Sequence, residues 1–234
     1  MKTSDMKHDS AIKHVTGQSV YVNDMEVKRQ LVGRVVYSPE AHARISLMDI
    51  KAALKLNGVV AILTHKDIPG KNQMGPVFED ELCLAEDEVT FIGQAIALIA
   101  AETEEAALKA EKLIRIEYEE LITILDLREA IKSGSLIAPP RIIECGDAAE
   151  TLKSAPHVIS GELETGAQEH WYLETQSALA IPGEDREMFM FASSQNPAET
   201  QAIVAEVLGI AKNEVDACPH CSRYVLNMFR LLSP

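Results

Sequence analysis

Residues 165–176 are the first place where residue types and spacing could do chemistry. The run Thr165-Gly166-Ala167-Gln168-Glu169-His170-Trp171-Tyr172-Leu173-Glu174-Thr175-Gln176 holds the only tryptophan, a histidine, two carboxylates and two amides. Glu169 and Glu174, five positions apart, could divide acid and base roles, as paired carboxylates do where their surroundings differ. Their spacing does not fix the distance between them. His170 has no second ligand at helical or hairpin spacing, so it is read as structural. A buried polar group left unsatisfied costs roughly 1–3 kcal/mol. The stretch is therefore either a well-paired turn or a site.

Two other runs carry candidate groups. In Ser193-Ser194-Gln195-Asn196-Pro197, Asn196 reads as a helix cap with Pro197 at the first helical position, which leaves Gln195 as a possible site residue. Cys218-Pro219-His220-Cys221 has the C-x-x-C spacing of a dithiol redox site. It has no thioredoxin-like continuation, and no second half for a zinc site. With Cys83 and Cys145 the chain has four cysteines, too few and too irregular for a disulfide framework. No G-x-G-x-x-G, G-x-x-x-x-G-K-[ST] or G-x-S-x-G occurs, which leaves dinucleotide-fold, phosphate-loop and serine-hydrolase readings unsupported.

The elements that must position these groups follow from periodicity. Residues 19–22, 31–37, 59–64 and 94–101 read as strands, the last apolar throughout after Gln94, as in a strand covered on both faces. Thr103 starts a helix whose Ala106, Ala110 and Leu113 share a face. From Ile114 the period changes to two. Asp49, Asp126 and Asp147 each precede a short helix. Residues 158–165, 177–182 and 188–193 read as strands around the polar stretch, and Asn196 opens a helix stopped by Gly209. Strand, helix and strand in this order indicate a mixed α/β layer, and the fold class is α+β.

A chain of 234 residues suffices for one large or two ordinary domains. Its net charge of −14 disfavours nucleic-acid and anionic-membrane partners, which need basic surface. No apolar run approaches the roughly 20 residues of a membrane span, and Met1-Lys2-Thr3-Ser4-Asp5 lacks a signal core, so the expected location is cytoplasmic.

The segment Gln168-Glu169-His170-Trp171-Tyr172-Leu173-Glu174 resembles the Q-E-H-[FW]-Y-L-E segment of the molybdenum-binding subunit of the xanthine dehydrogenase and aldehyde oxidase family. Similar family segments match at 38–45 (S-x-x-A-H-A-x-I), where His42 is read as a paired loop histidine, and at Asp67-Ile68-Pro69-Gly70 with Asn72. Others match at Gly146-Asp147 and at 193–197. The resemblance implies a hammerhead domain over residues 10–125, a linker at 126–145, the start of a molybdopterin-binding domain at 146–215, and an atypical tail at 216–234. It also implies that Gln168 donates a hydrogen bond to an oxygen ligand of molybdenum and that Gln195 lines the cofactor cavity. The implied activity is hydroxylation of a purine such as hypoxanthine or xanthine, or of an aldehyde. Electrons would then pass to iron–sulfur clusters, FAD and NAD in partner domains or subunits.

After Val215 the family's glycine-rich G-G-G-F-G-G-K segment is replaced by Asp216-Ala217-Cys218-Pro219-His220-Cys221, and the family's catalytic base and substrate-holding residues have no counterpart here. The chain reads as the amino-terminal piece of a larger subunit. The alternatives are a non-catalytic docking module or degenerate piece of that subunit, and a thiol redox protein using Cys218 and Cys221.

Overall fold

The computed structural model describes residues 11–75, 77–169, 171 and 176–219. They form two compact units. One runs up to Leu121 and resumes after Trp171; the other is Ile122–Trp171.

In the first unit, helix α1 (Ala11–Thr16) precedes strands β1 (Val32–Tyr37) and β2 (Ala43–Asp49). The short helix α2 (Lys51–Leu54), strand β3 (Val59–Leu63), the two-residue β4 (Glu88–Val89), strand β5 (Ala95–Ala101), helix α3 (Glu104–Leu113) and strand β6 (Arg115–Glu120) follow. The apolar β5 is the centre of an antiparallel sheet ordered β1-β5-β3, and β2 is the centre of a second, β4-β2-β6. Thr103 caps α3 by accepting from the Ala106 N–H at 3.2 Å. The small face Ala106, Ala107 and Ala110 lets α3 lie close against Val36, Ile62 and Ile99. Arg34 on β1 reaches Glu111 on α3 at 2.6 Å.

The same unit continues with β7 (Ala178–Pro182), β8 (Met188–Ala192), α6 (Pro197–Leu208) and β9 (Val215–Pro219). β7 and β8 are antiparallel; β9 returns through α6 to lie parallel to β8. One face of this sheet packs on α6 through Ala180, Met190, Val204 and Val215. The other sends Leu179 into a cluster with Val22, Leu31 and Ala100, joining the two halves of the unit.

The second unit contains helices α4 (Leu127–Ser133), capped by Asp126 and stopped by Gly134, and α5 (Ala148–Ser154), capped by Asp147. Among its described residues none is buried, so these helices rest on their caps and local bonds.

Two sequence expectations are corrected. Residues 19–22 are not a strand: Val22–Asp24 is a 3₁₀ turn, because Asp24 Oδ2 accepts from the Tyr21 N–H at 2.9 Å and folds the chain back. Residues 158–165 form no strand either. Their alternation supplies a face, but among the described residues they pair with no strand, and Ile159 stands 99% exposed. The family-like residues Tyr172–Thr175 and His170, and the tail from residue 220, lie outside the described residues. Among the described residues no helix is long and apolar enough to cross a membrane.

Candidate functional site

Gln168 sits in an irregular, exposed run, and its Nε2 donates to the neighbouring Ala167 carbonyl at 3.3 Å. A glutamine amide offers two donors and an acceptor, so most of its capacity is directed outward. Trp171 is exposed with φ 45°, an uncommon conformation for an aromatic residue.

Gln195 belongs to the other unit and is held differently. It is itself exposed, but the backbone on both sides is fixed by buried hydroxyls. Ser193 Oγ accepts from the Ser177 N–H at 2.9 Å and donates to the Ser177 carbonyl at 3.2 Å. Ser177 Oγ in turn donates to Asn23 Oδ1 at 2.9 Å. Ser194 Oγ lies 3.0 Å from Thr200 Oγ1 and accepts from the Asn196 N–H at 3.1 Å. Asn196 Oδ1 caps α6 by accepting from Glu199 N–H at 3.2 Å. Gln195 thus projects from a pre-ordered corner between β8 and α6. The sequence reading missed Asn23, Ser177 and Thr200; the available signal was the run of small hydroxyl residues at the ends of apolar strands.

The far end of α6 is held by the 67–72 turn. The N–H groups of Gly70 and Lys71 donate to the Val207 and Glu206 carbonyls, each at 2.9 Å. These are carbonyls of the last helical turn, where the Glu206 carbonyl also accepts a longer bond from the Gly209 N–H at 3.3 Å. Asn72 then clasps Leu84, donating to its carbonyl at 2.8 Å and accepting from its N–H at 2.9 Å. Gln73 Oε1 accepts from the N–H groups of Met74, Gly75 and Glu81.

Of the C-x-x-C pair, Cys218 is a free, exposed thiol on β9, and Cys221 lies outside the described residues. Cys83 is free and half-buried, and burial pushes its thiol up to about 11 despite a hydrogen bond from the Gln73 backbone. Only the thiolate alkylates, so at pH 8 Cys83 is expected to react roughly a thousandfold more slowly than its fully ionised form. Its labelling should rise steeply only as pH approaches 11, whereas peptide mass mapping at pH 8 should find the exposed Cys145 and Cys218 modified before Cys83. Rapid Cys83 labelling at pH 8 would contradict the burial. Among the described residues no group of three or more His, Cys, Asp or Glu side chains is arranged to hold a metal ion.

Comparison with known proteins matches this architecture. Residues 16–122 fit the model of the aldehyde oxidase and xanthine dehydrogenase a/b hammerhead domain, and residues 135–219 that of the molybdopterin cofactor-binding domain. The second match reaches the end of β9, four residues beyond Val215. Together they define a hammerhead domain followed by a molybdopterin cofactor-binding domain, and the chain belongs to the aldehyde oxidase and xanthine dehydrogenase family. It is 45% identical over 213 residues to xanthine dehydrogenase of Dictyostelium discoideum, covering 91% of this chain and 16% of that protein. With aldehyde oxidase 1 of Bos taurus it shares 41% over 212 residues, 89% of this chain and again 16% of the relative. Aldehyde oxidoreductase of Desulfovibrio gigas superimposes with a TM-score of 0.79 at 25% identity, over 88% of this chain and 25% of that one. The chain therefore spans about one-sixth of the length of the curated relatives it matches.

Proposed function

We propose that this chain serves in a molybdenum hydroxylase of the xanthine dehydrogenase type, within a longer molybdenum-binding subunit. Gln168 hydrogen-bonds through Nε2 to an oxygen ligand of the metal, and Gln195 lines the cofactor cavity. The substrate is a purine such as hypoxanthine or xanthine, with an aldehyde as the alternative. Electrons leave to iron–sulfur clusters, FAD and NAD in partner domains or subunits, in the cytoplasm. Residues 10–125 act as the hammerhead domain, 126–145 as linker, and 146–215 as the start of the cofactor-binding domain, ahead of the atypical tail at 216–234.

The observation that carries this reading is the succession of the two family matches in one chain. Identity does not separate the two substrates, since matched xanthine dehydrogenases run from 40 to 45% and aldehyde oxidases from 40 to 42%. The purine assignment leans on the Asp67-Ile68-Pro69-Gly70 and Gln168-Glu169-His170-Trp171-Tyr172-Leu173-Glu174 segments. Donor chemistry supports the two amides: among the described residues Gln168 bonds through its side chain to the Ala167 carbonyl, and Gln195 is exposed on a braced corner, so each has N–H groups to offer an oxygen-liganded metal or a pterin. When bound, the cofactor supplies oxygen transfer to a substrate carbon and takes up the electrons. What this chain contributes is orientation, by a hydrogen bond that fixes a ligand of the metal.

In the complete subunit, Gln168→Ala is expected to lower turnover about 10–100-fold, the usual cost of removing a group that orients a metal ligand. Circular dichroism should be unchanged, since Gln168 makes no buried contact. Steady-state kinetics equal to those of the parent would refute the role.

A further inference from the structure

An open hollow of about 550 Å³ lies on the first unit, between the 80–88 segment and the 90–94 turn, and Gln195 is not among the residues that line it. Its apolar lining comes from Met74, Leu82 and Phe91. Phe91 is 55% exposed and the adjacent Ile92 66%, an arrangement that solvent alone does not reward. Its walls are pinned in advance. Gln94 is buried, and its Oε1 accepts from Thr90 N–H at 2.7 Å, holding the turn that carries Phe91. Gln73 holds Glu81, and Asn72 holds Leu84, through the bonds described above. A pre-formed hollow does not spend binding energy on ordering itself.

Charge identifies what fits. Glu88 is paired with His42 at 2.9 Å, and Glu86 accepts from Asn72 at 3.1 Å. The side chains of Asp80, Glu81 and Asp87 also border the hollow and have no ion pair or hydrogen bond among the described residues. No lysine or arginine lines it. A second copy would bring the same carboxylates and a net charge of −14, and nucleic acid or an anionic bilayer would be repelled in the same way.

We propose that this hollow docks a segment of a partner polypeptide that presents lysine or arginine beside an apolar side chain. The cations meet Asp80, Glu81 and Asp87 while the apolar group covers Phe91. The proposal rests on the reading of the chain as one part of a multi-component redox complex, and it names the face that meets the partner.

The test is fluorescence anisotropy on the full chain, with a short labelled peptide alternating lysine and leucine as probe. Its glutamate–leucine counterpart and an oligo-arginine without apolar residues serve as comparisons. The lysine–leucine peptide is expected to bind more tightly than either. The triple variant Asp80→Asn, Glu81→Gln, Asp87→Asn and the single variant Phe91→Ser should each weaken it by about tenfold or more. A charge-matched variant at exposed carboxylates elsewhere, Glu102→Gln, Glu144→Gln, Glu184→Gln, should bind as the parent does. Equal loss in the charge-matched variant, equal binding of oligo-arginine, or no binding by the parent overturns the proposal. The assay needs no cofactor, so its failure leaves the role of Gln168 standing, and failure of that role leaves this result standing.

Discussion

Gly70→Ala is expected to destabilise the first unit by about 3 kcal/mol, the sum of overpacking and of the two turn-to-helix hydrogen bonds lost. A Cβ at residue 70 would stand 2.0 Å from the Glu206 carbonyl oxygen and 2.6 Å from the Gly209 nitrogen. Both neighbours are backbone, so neither can swing aside. Relief requires the 67–72 turn to lift off α6, which breaks the Gly70 and Lys71 bonds to the last turn of the helix. The melting temperature should fall by roughly 10 °C. Gly161→Ala, where an added methyl meets nothing within 4 Å, should leave it unchanged. A Gly70→Ala chain that melts like the parent would mean that the turn does not seat on the helix. This contact gives a physical reason for a glycine in the Asp67-Ile68-Pro69-Gly70 motif: only hydrogen fits between the turn and the helix end.

Leu179→Ala should cost about 2–5 kcal/mol, the range for removing a large side chain from a packed core. Leu179 is 3% exposed and meets Leu31, Val22 and Ala100, which come from the other half of the same unit. Its loss should therefore raise amide hydrogen exchange in both the β7-β8-β9 and the β1-β5-β3 sheets. Val204→Ala, whose contacts stay within the α6 cluster, should affect mainly the first of these. Loss of protection confined to β7 and β8 after Leu179→Ala would show that the two halves are stabilised independently.

The short-range features of the fold were legible in the sequence. Thr103, Asp126, Asp147 and Asn196 cap helices by bonding N–H groups two or three residues on, and Gly134 and Gly209 close helices in the left-handed conformation; each signal and its partner lie within one turn. The apolar run of β5 announced a central strand because both of its edges are paired. The division of the hammerhead portion into β1-β5-β3 and β4-β2-β6 was not legible, since pairing is decided by non-local packing. Residues 158–165 show the converse: a strand-like pattern is only half of a strand, and without a neighbouring edge it stays irregular. At the candidate site, Gln168 was reached by resemblance alone, since nothing in its spacing separates it from other exposed amides. The bond from Ser177 to Asn23, which braces the Gln195 corner, joins residues 154 positions apart, beyond the reach of any local pattern.

The most direct test of the central claim, that Gln168 contacts a ligand of molybdenum, is the molybdenum retained per polypeptide. It would be measured by elemental mass spectrometry after exhaustive dialysis, on the complete subunit and on its Gln168→Ala variant, both made in a host that synthesises the pterin cofactor. The account predicts that the parent keeps its molybdenum and that the folded variant holds it about 10–100-fold more weakly. Equal molybdenum in the two proteins, or none in a folded parent, would contradict it.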